Sequence, residues 1–157
     1  LGATIANRGY FITPHIVKEI EDNALDTLYT SRRYTGIERA HYEEVVQGMR
    51  AAVTGSTGSA TCRMVGTILP GVEACGKTGT AQNRGKDHSV FMGFAPMDNP
   101  KIAIAVYVEN GGFGAVYGVP IGAMMMDQYL HGKLSPQNEI LAEEFSNRVI
   151  YYSDEER

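Results

Sequence analysis

The chain has 157 residues, of which 43% are hydrophobic and 20% charged, a composition typical of one globular domain with a substantial core and not of a disordered chain. Its net charge is −4, and no stretch clusters lysine and arginine with aromatic residues, so a nucleic acid is not an expected partner. No apolar run reaches the roughly 18 residues that a membrane-spanning helix needs.

The first 36 residues carry the weakest structural signals. The opening stretch LGATIANRG is typical of the last turns of a helix, and we therefore expect the sequence to be a piece of a longer domain. Residues 14–22, PHIVKEIED, favour a short surface strand or the arm of a hairpin. Residues 22–36 are polar and show no period.

A helical pattern begins after Ile37. Residues 38–53, ERAHYEEVVQGMRAAV, place apolar side chains at Val45, Met49 and Val53, close to helical spacing, and predict an amphipathic helix. The glycine-rich stretch 54–58 ends it. Ser59 is the predicted N-cap of a short second helix through residues 62–64.

Three β-like runs follow, at residues 72–82, 88–96 and 102–109. The last two are joined by a turn containing Asp98 and Asn99, which is too short for a parallel crossover and therefore predicts an antiparallel hairpin. Residues 119–132 predict a helix that ends at Gly132. The predicted fold class is thus α+β, an antiparallel sheet flanked by helices, over residues 1–132, followed by an acidic tail at 133–157 that could form another helix.

Two known motifs overlap within residues 71–80, GVEACGKTGT. Gly71, Gly76, Lys77 and Thr78 satisfy the phosphate-loop pattern G-x-x-x-x-G-K-[ST], whereas residues 77–79 are the K-T-G triplet of serine acyl-transfer enzymes that recognise β-lactams. A phosphate loop needs a helix that begins at the lysine, but two glycines and no helical period follow Lys77. The K-T-G motif needs an extended strand, and the predicted strand 72–82 meets that requirement. The run IAIAVYVE resembles a magnesium-binding strand and keeps the nucleotide-binding alternative open.

Several ordered strings carry a more specific resemblance. GKTGTAQ, DHSVFMGFAP and NPKIAIAVYVENG resemble the C-terminal half of the transpeptidase domain of class B penicillin-binding proteins, in particular those of the penicillin-binding protein 2 type. ANRGYFITPHIVKEI and VVQGMRAAVTGSTGSA resemble earlier segments of the same domain, so the match covers about residues 1–130. The resemblance implies part of the fold that serine β-lactamases share with these proteins.

The resemblance also implies roles for the K-T-G strand. Lys77 would be a catalytic cation that keeps the site electropositive for proton relay and for the substrate carboxylate. Thr78 and Thr80 would donate hydroxyl hydrogen bonds to that carboxylate, the backbone N–H of Thr80 would form half of the oxyanion hole, and Gly79 would let the substrate backbone approach. Strand parity places Lys77 on one face and both threonines on the other, which predicts a site at the edge of the strand.

The nucleophile expected from this resemblance is not in the chain. None of its seven serines is followed by lysine at the third position or by asparagine at the second, so both the S-x-x-K and the S-x-N motif are absent. We therefore expect the chain by itself to be inactive, and the nucleophile to lie upstream in a longer protein. His88 could act as a general base, although a structural role is the more frequent one for such a histidine.

The resemblance implies a peptidoglycan D,D-transpeptidase that β-lactams inhibit and that needs no cofactor or metal. Its partners would be the peptidoglycan stem peptide, β-lactams and, for the full-length protein, a cell-wall glycosyltransferase, with a location at the periplasmic face of the bacterial inner membrane. A non-enzymatic β-lactam sensor domain is the alternative. Because strand 102–108 would lack its neighbour, the chain alone is expected to self-associate.

Cys62 and Cys75 have no metal-ligand spacing, which favours two buried small hydrophobic side chains over a disulfide.

Overall fold

A computed structural model describes residues 1–56 and 60–152. In chain order, the helices and strands are α1 (Gly2–Ala6), β1 (Tyr10–Ile12), α2 (Thr27–Thr30), β2 (Arg32–Tyr34), α3 (Arg39–Thr54), α4 (Arg63–Ile68), β3 (Cys75–Ala81), β4 (His88–Ala95), β5 (Ile102–Val108), α5 (Gly118–His131) and α6 (Pro136–Ser146). Strands β3, β4 and β5 form an antiparallel sheet in that order, and β1 pairs with β2 in a separate two-stranded sheet. The predicted α+β class is confirmed.

The three-stranded sheet separates two hydrophobic cores. On one face, α4 and α5 pack around the fully buried ring of Phe91, and this main core includes Val65, Leu69 and Met126. On the other face, α1 and α3 cover Phe94, and this second core includes Tyr42 and Val46. Both faces of β4 are therefore buried, which makes it the central support of the sheet.

Close packing around Phe91 depends on glycines in three different elements. A Cβ atom at Gly93 would lie 2.6 Å from the Phe91 ring, and a Cβ atom at Gly122 would lie 2.5 Å from it. A Cβ atom at Gly76, in β3, would lie 2.8 Å from the same ring. Protein interiors pack too densely to accommodate such atoms without movement. The glycines in this part of the sequence therefore allow the helices and the strands to share one aromatic side chain.

The predicted hairpin and its flanking helices are confirmed. Strands β4 and β5 pair antiparallel with Ala95 opposite Ile102, and the turn between them contains Asn99 in a left-handed conformation. Helix α3 is followed by Gly55 and α5 by Gly132, each a glycine with positive φ, which is the usual C-terminal cap. Val46, rather than the half-exposed Val45, is the buried residue in the middle of α3.

The strand predicted at residues 14–22 is wrong. Strand β1 ends at Ile12 and pairs with β2, a segment for which no strand was predicted, while residues 13–19 are irregular and Ile20 forms only an isolated bridge with Asn23. Pro14 has no N–H to donate to a strand ladder, and the side chain of Ile16 is fully exposed. Residues 10–37 therefore form an exposed arm rather than part of the sheet.

The second helix begins later than predicted. Helix α4 starts at Arg63 with Cys62 as its N-cap, and no side chain caps it. Ser59, the predicted cap, lies outside the described residues. The tail contains the helix that its sequence allows, since Ser135 caps α6 by accepting a hydrogen bond from the Asn138 N–H. Among the residues described, no helix has the length and apolar character needed to span a membrane.

Candidate functional site

The K-T-G residues lie in β3, which is an outer strand of the sheet. Residues 75–81 are extended, within the strand predicted at 72–82, and they pair antiparallel with residues 88–94. No helix starts at Lys77. A phosphate loop requires that helix, because its N-terminal amides hold the phosphates. The nucleotide-binding alternative is therefore wrong for this geometry.

The backbone of Thr78 points away from β4. Its carbonyl accepts a hydrogen bond of 2.5 Å from the Lys77 ammonium, and its N–H interacts with the buried sulfur of Cys62. Since N–H and C=O directions alternate along a strand, Thr80, two residues further on, presents its own N–H and C=O to the same outer side. No described strand pairs with this side of β3.

Lys77 and the two threonines start on opposite faces of β3, as strand parity predicts. Lys77 lies opposite Met92, on the face of the second core, and its side chain bends so that Nζ reaches the outer edge. Thr78 lies opposite Phe91 and Thr80 opposite Ser89, on the face of the main core. The edge of β3 thus brings together one cation, two hydroxyl groups and the outward backbone amides of Thr78 and Thr80, of which that of Thr78 already interacts with Cys62.

The connection between β5 and α5 supports this strand from the main-core side. A Cβ atom at Gly114 would lie 2.8 Å from the Gly79 carbonyl oxygen and 3.0 Å from Thr78 Cβ, so only glycine fits there without movement. Ser89, fully buried, donates a hydrogen bond of 3.0 Å to the Phe113 carbonyl and accepts one of 3.0 Å from the Gly118 N–H. These contacts fix the connection against the backbone of β3 and β4.

His88 has a structural partner. Its Nδ1 accepts a hydrogen bond of 3.0 Å from the backbone N–H of Asn110, and its ring lies 5.1 Å from the ring of Tyr107. His88 pairs with Ala81 at the far end of β3, so it is not opposite any K-T-G residue. These contacts favour the structural role for His88 over that of a general base.

The two cysteines are free and buried, as predicted, and they belong to different cores. Burial raises the pKa of the Cys75 thiol to about 12. Burial also raises the pKa of Cys62, although the Thr61 hydroxyl, the Lys77 ammonium and the Thr78 N–H each oppose that rise. Both thiols are therefore protonated at neutral pH and act as packing groups. The Cys62 sulfur lies next to the Thr78 backbone in the K-T-G strand.

Sequence reasoning missed two contributors to this site. It did not place Cys62 beside β3, and it did not bring Gly114 over the strand. The run NGGFG at residues 110–114 was the available signal for Gly114, since clustered glycines after a strand allow a close backbone approach. The described residues contain no group of three or more His, Cys, Asp or Glu side chains arranged to hold a metal ion.

Comparison with known proteins supports the resemblance. The family model of the penicillin binding protein transpeptidase domain matches residues 1–127. The peptidoglycan D,D-transpeptidase MrdA of Haemophilus influenzae is 30% identical over 154 residues, and the match covers 86% of this chain but 23% of that protein. The crystal structure of Pseudomonas aeruginosa PBP2 has a TM-score of 0.72 and 38% identity, over 87% of this chain and 30% of that one.

A third similarity is to an acylated protein. The ceftriaxone acyl-enzyme complex of penicillin-binding protein A from Mycobacterium tuberculosis has a TM-score of 0.60 and 29% identity, over 78% of this chain and 29% of that one. The chain thus spans less than a third of the length of each of these relatives. Because the family model covers most of its residues, the chain belongs to the penicillin-binding protein transpeptidase domain family.

Proposed function

We propose that this chain is the K-T-G part of a peptidoglycan D,D-transpeptidase. The observation that carries the proposal is the outer edge of β3, with which no described strand pairs and where the Lys77 ammonium reaches the Thr78 carbonyl, two residues from the outward backbone of Thr80. An extended substrate peptide can align along such an edge, as in other proteins that recognise peptides by strand addition. The relative from Haemophilus influenzae bears the name of this activity.

Each residue of the edge has a role in acyl transfer. The nucleophilic serine attacks the carbonyl of the penultimate D-alanine, forms a bond between its oxygen and that carbon, and the terminal D-alanine leaves with its amine protonated. The Thr80 N–H stabilises the oxyanion that develops in this step. Lys77 keeps the site electropositive, Thr78 and Thr80 donate hydroxyl hydrogen bonds to the terminal carboxylate, and Gly79 leaves room for the substrate backbone.

The nucleophile and the other half of the oxyanion hole come from residues outside this chain. The chain contains no S-x-x-K and no S-x-N motif, and it spans 23% of the length of its relative MrdA. Residues 1–132 would then be the C-terminal half of the transpeptidase domain, with residues 133–157 as an acidic tail. The acyl group of the stem peptide passes from the serine to an amine of a neighbouring stem peptide.

The proposal extends to ligands, partners and location. β-Lactams acylate the same serine, since penicillin-binding protein A, a relative, forms an acyl-enzyme with ceftriaxone. Peptidoglycan is extracytoplasmic, so the full-length protein would act at the periplasmic face of the inner membrane. There it would work with a glycosyltransferase that supplies the glycan strands.

The experiment compares the natural protein that contains this chain with the chain alone. Intact-mass spectrometry with a labelled penicillin should detect one adduct on the natural protein and none on the chain alone. An adduct on the chain alone would contradict the proposed division of the site, and the lack of one on the natural protein would contradict the function. A sensor domain would form the adduct but release no cross-linked product from stem peptides, which separates that alternative.

A further inference from the structure

The segment that follows the family match, residues 128–152, packs back against the domain. The family model ends at residue 127, but the described chain continues through α6 to Tyr152. The start of α6 is fixed by a buried polar bridge, in which Asn138 Nδ2 donates hydrogen bonds of 2.7 Å to Asp127 and 2.9 Å to the Ile68 carbonyl. Leu141 and Phe145 of α6 pack against the main core. The tail helix is therefore docked on the domain.

After α6, the Arg148 side chain contacts Tyr117, at the start of α5. Its guanidinium lies 3.8 Å from the ring centre of Phe145 and 5.7 Å from that of Tyr117, and it forms a salt bridge with Glu144. Stacking of this kind on aromatic rings adds to the attraction that packing alone provides. These contacts hold the chain against the start of α5 at the point where residues 149–152 leave α6.

Residues 149–152 then run along the connections at the far end of the sheet. Residues 149–151 line one side of a cleft of about 420 Å³ whose other side includes Lys86, Tyr117 and residues 110–112. The carbonyl oxygen of Tyr152 is so close to Gly85 that a Cβ atom there would lie 2.9 Å from it. The tail therefore contacts the β3–β4 connection, residues 82–87.

The β3–β4 connection is held from two sides. On one side, Asn83 donates a hydrogen bond of 3.0 Å to the Asn110 side chain, and the Gly112 N–H donates one of 2.7 Å to the Asp87 carbonyl. On the other side lies the tail, at Gly85. The connection begins at residue 82, two residues after Thr80, so it directly continues the strand that carries the proposed substrate edge.

We propose that residues 148–152 are a positioning segment that holds the β3–β4 connection in place at the end of the substrate edge of β3. This inference rests on the proposed function of that edge. The segment touches none of the K-T-G residues in the described contacts, so it acts on substrate binding through the connection. It should therefore change the binding step that precedes acylation and leave the acylation step itself unchanged.

The first experiment removes the tail from the natural protein at two points. Deleting residues 148–157 removes the contacts of Arg148 and of residues 149–152, whereas deleting residues 153–157 leaves those residues in the chain and serves as the control. The longer deletion should weaken the pre-acylation binding constant of a penicillin by about two- to ten-fold, the range that ordering of one or two interface side chains contributes. The acylation rate at saturation should not change, and backbone amides of residues 82–87 should exchange hydrogen faster.

A point substitution tests the same contact without shortening the chain. Gly85→Ala adds a Cβ atom against the Tyr152 carbonyl at a residue without positive φ, so no backbone strain accompanies the change. Gly48→Ala, at a site with open space around it, is the matched control. Gly85→Ala should weaken binding as the long deletion does, and it should add nothing once the tail is removed.

The outcomes separate this inference from the proposed function. If the natural protein forms no acyl adduct, the proposed function fails, but faster exchange at residues 82–87 after the deletion would still support the positioning contact. If acylation is normal and the long deletion changes neither binding nor exchange, the positioning segment is refuted. A deletion that lowers the saturating acylation rate or the melting temperature as much as it weakens binding would point to general destabilisation and would also overturn the inference.

Discussion

The two outer strands of the three-stranded sheet each leave one backbone edge unpaired by any described strand, yet the two edges differ in chemistry. β3, with the sequence CGKTGTA, has two glycines, two hydroxyl side chains and a lysine, whereas β5, IAIAVYV, has no charged residue. A lysine on an edge strand discourages pairing with other proteins, and β-branched apolar residues favour it. The comparison indicates that β3 is suited to a short polar peptide that carries a carboxylate, and β5 to an apolar strand of another chain.

The same central strand supports both edges. Every residue of β3 and of β5 is paired with β4, whose Phe91 and Phe94 are fully buried on opposite faces. The two edges therefore share one rigid scaffold, and the difference between them lies in their side chains. A substitution on one edge alone therefore tests whether the side chains account for the difference between the edges.

The largest effect is expected at the β3 edge. In the full-length natural protein, Lys77→Ala or Thr80→Val should reduce the rate of acylation by a labelled penicillin about 100-fold or more, because each removes or displaces an anion-binding group. The melting temperature should stay close to that of the natural protein, since both side chains are exposed. Lys101→Ala, an exposed lysine beside β5, is the control, and a comparable loss from this variant would break the distinction between the edges.

The second-largest effect, a change in self-association, is expected at the β5 edge. The chain alone should self-associate at about 100 μM, a concentration at which an edge contact worth about −5 kcal/mol is partly populated. Ala105→Lys, at an exposed position in β5, should reduce this association because a charged side chain opposes strand pairing. Ala81→Lys, at an exposed position in β3, should leave it unchanged. Light scattering measures all three, and a compact monomer of the unaltered chain would count against the prediction.

The smallest of the three effects, a change in folding stability, is expected at Asp127, which lies in α5 and not in an outer strand. Burial raises the pKa of this carboxyl, but hydrogen bonds from Asn138, His131 and Ser135 outweigh burial, and the folded pKa lies below the ordinary value. The stabilisation from the carboxylate is thus complete above the unfolded pKa of about 3.9 and is lost as pH falls through the lower folded pKa.

Asp127→Asn should lower the free energy of unfolding by about 1–3 kcal/mol at pH 7, as for other buried hydrogen bonds to a charged group. Below pH 4, the stability of the variant should fall less steeply than that of the unaltered chain. Urea denaturation at several pH values measures both effects, with the exposed Asp98→Asn as control. Equal pH dependence in the two chains would show that Asp127 is not held as a carboxylate by its partners.

Most of the site strand could be predicted from the sequence. The period of the apolar residues, the glycines and the short links identified β3, β4, β5 and the helices α3 and α5, because these signals are local. The same strings led to the transpeptidase family, which the family model confirms. The exposed arm was the main failure, since PHIVKEIED has the composition of a strand but forms, among the described residues, only the isolated bridge between Ile20 and Asn23.

The sequence by itself determined that Lys77 and Thr78 lie on opposite faces of an extended strand, because side chains alternate along any strand. Only the tertiary structure decided that Lys77 Nζ bends to the outer edge, that Cys62 lies behind Thr78, and that the tail returns to Gly85. These contacts join residues far apart in the chain. They depend on how helices and connections pack around β4, and no local pattern in the sequence encodes that packing.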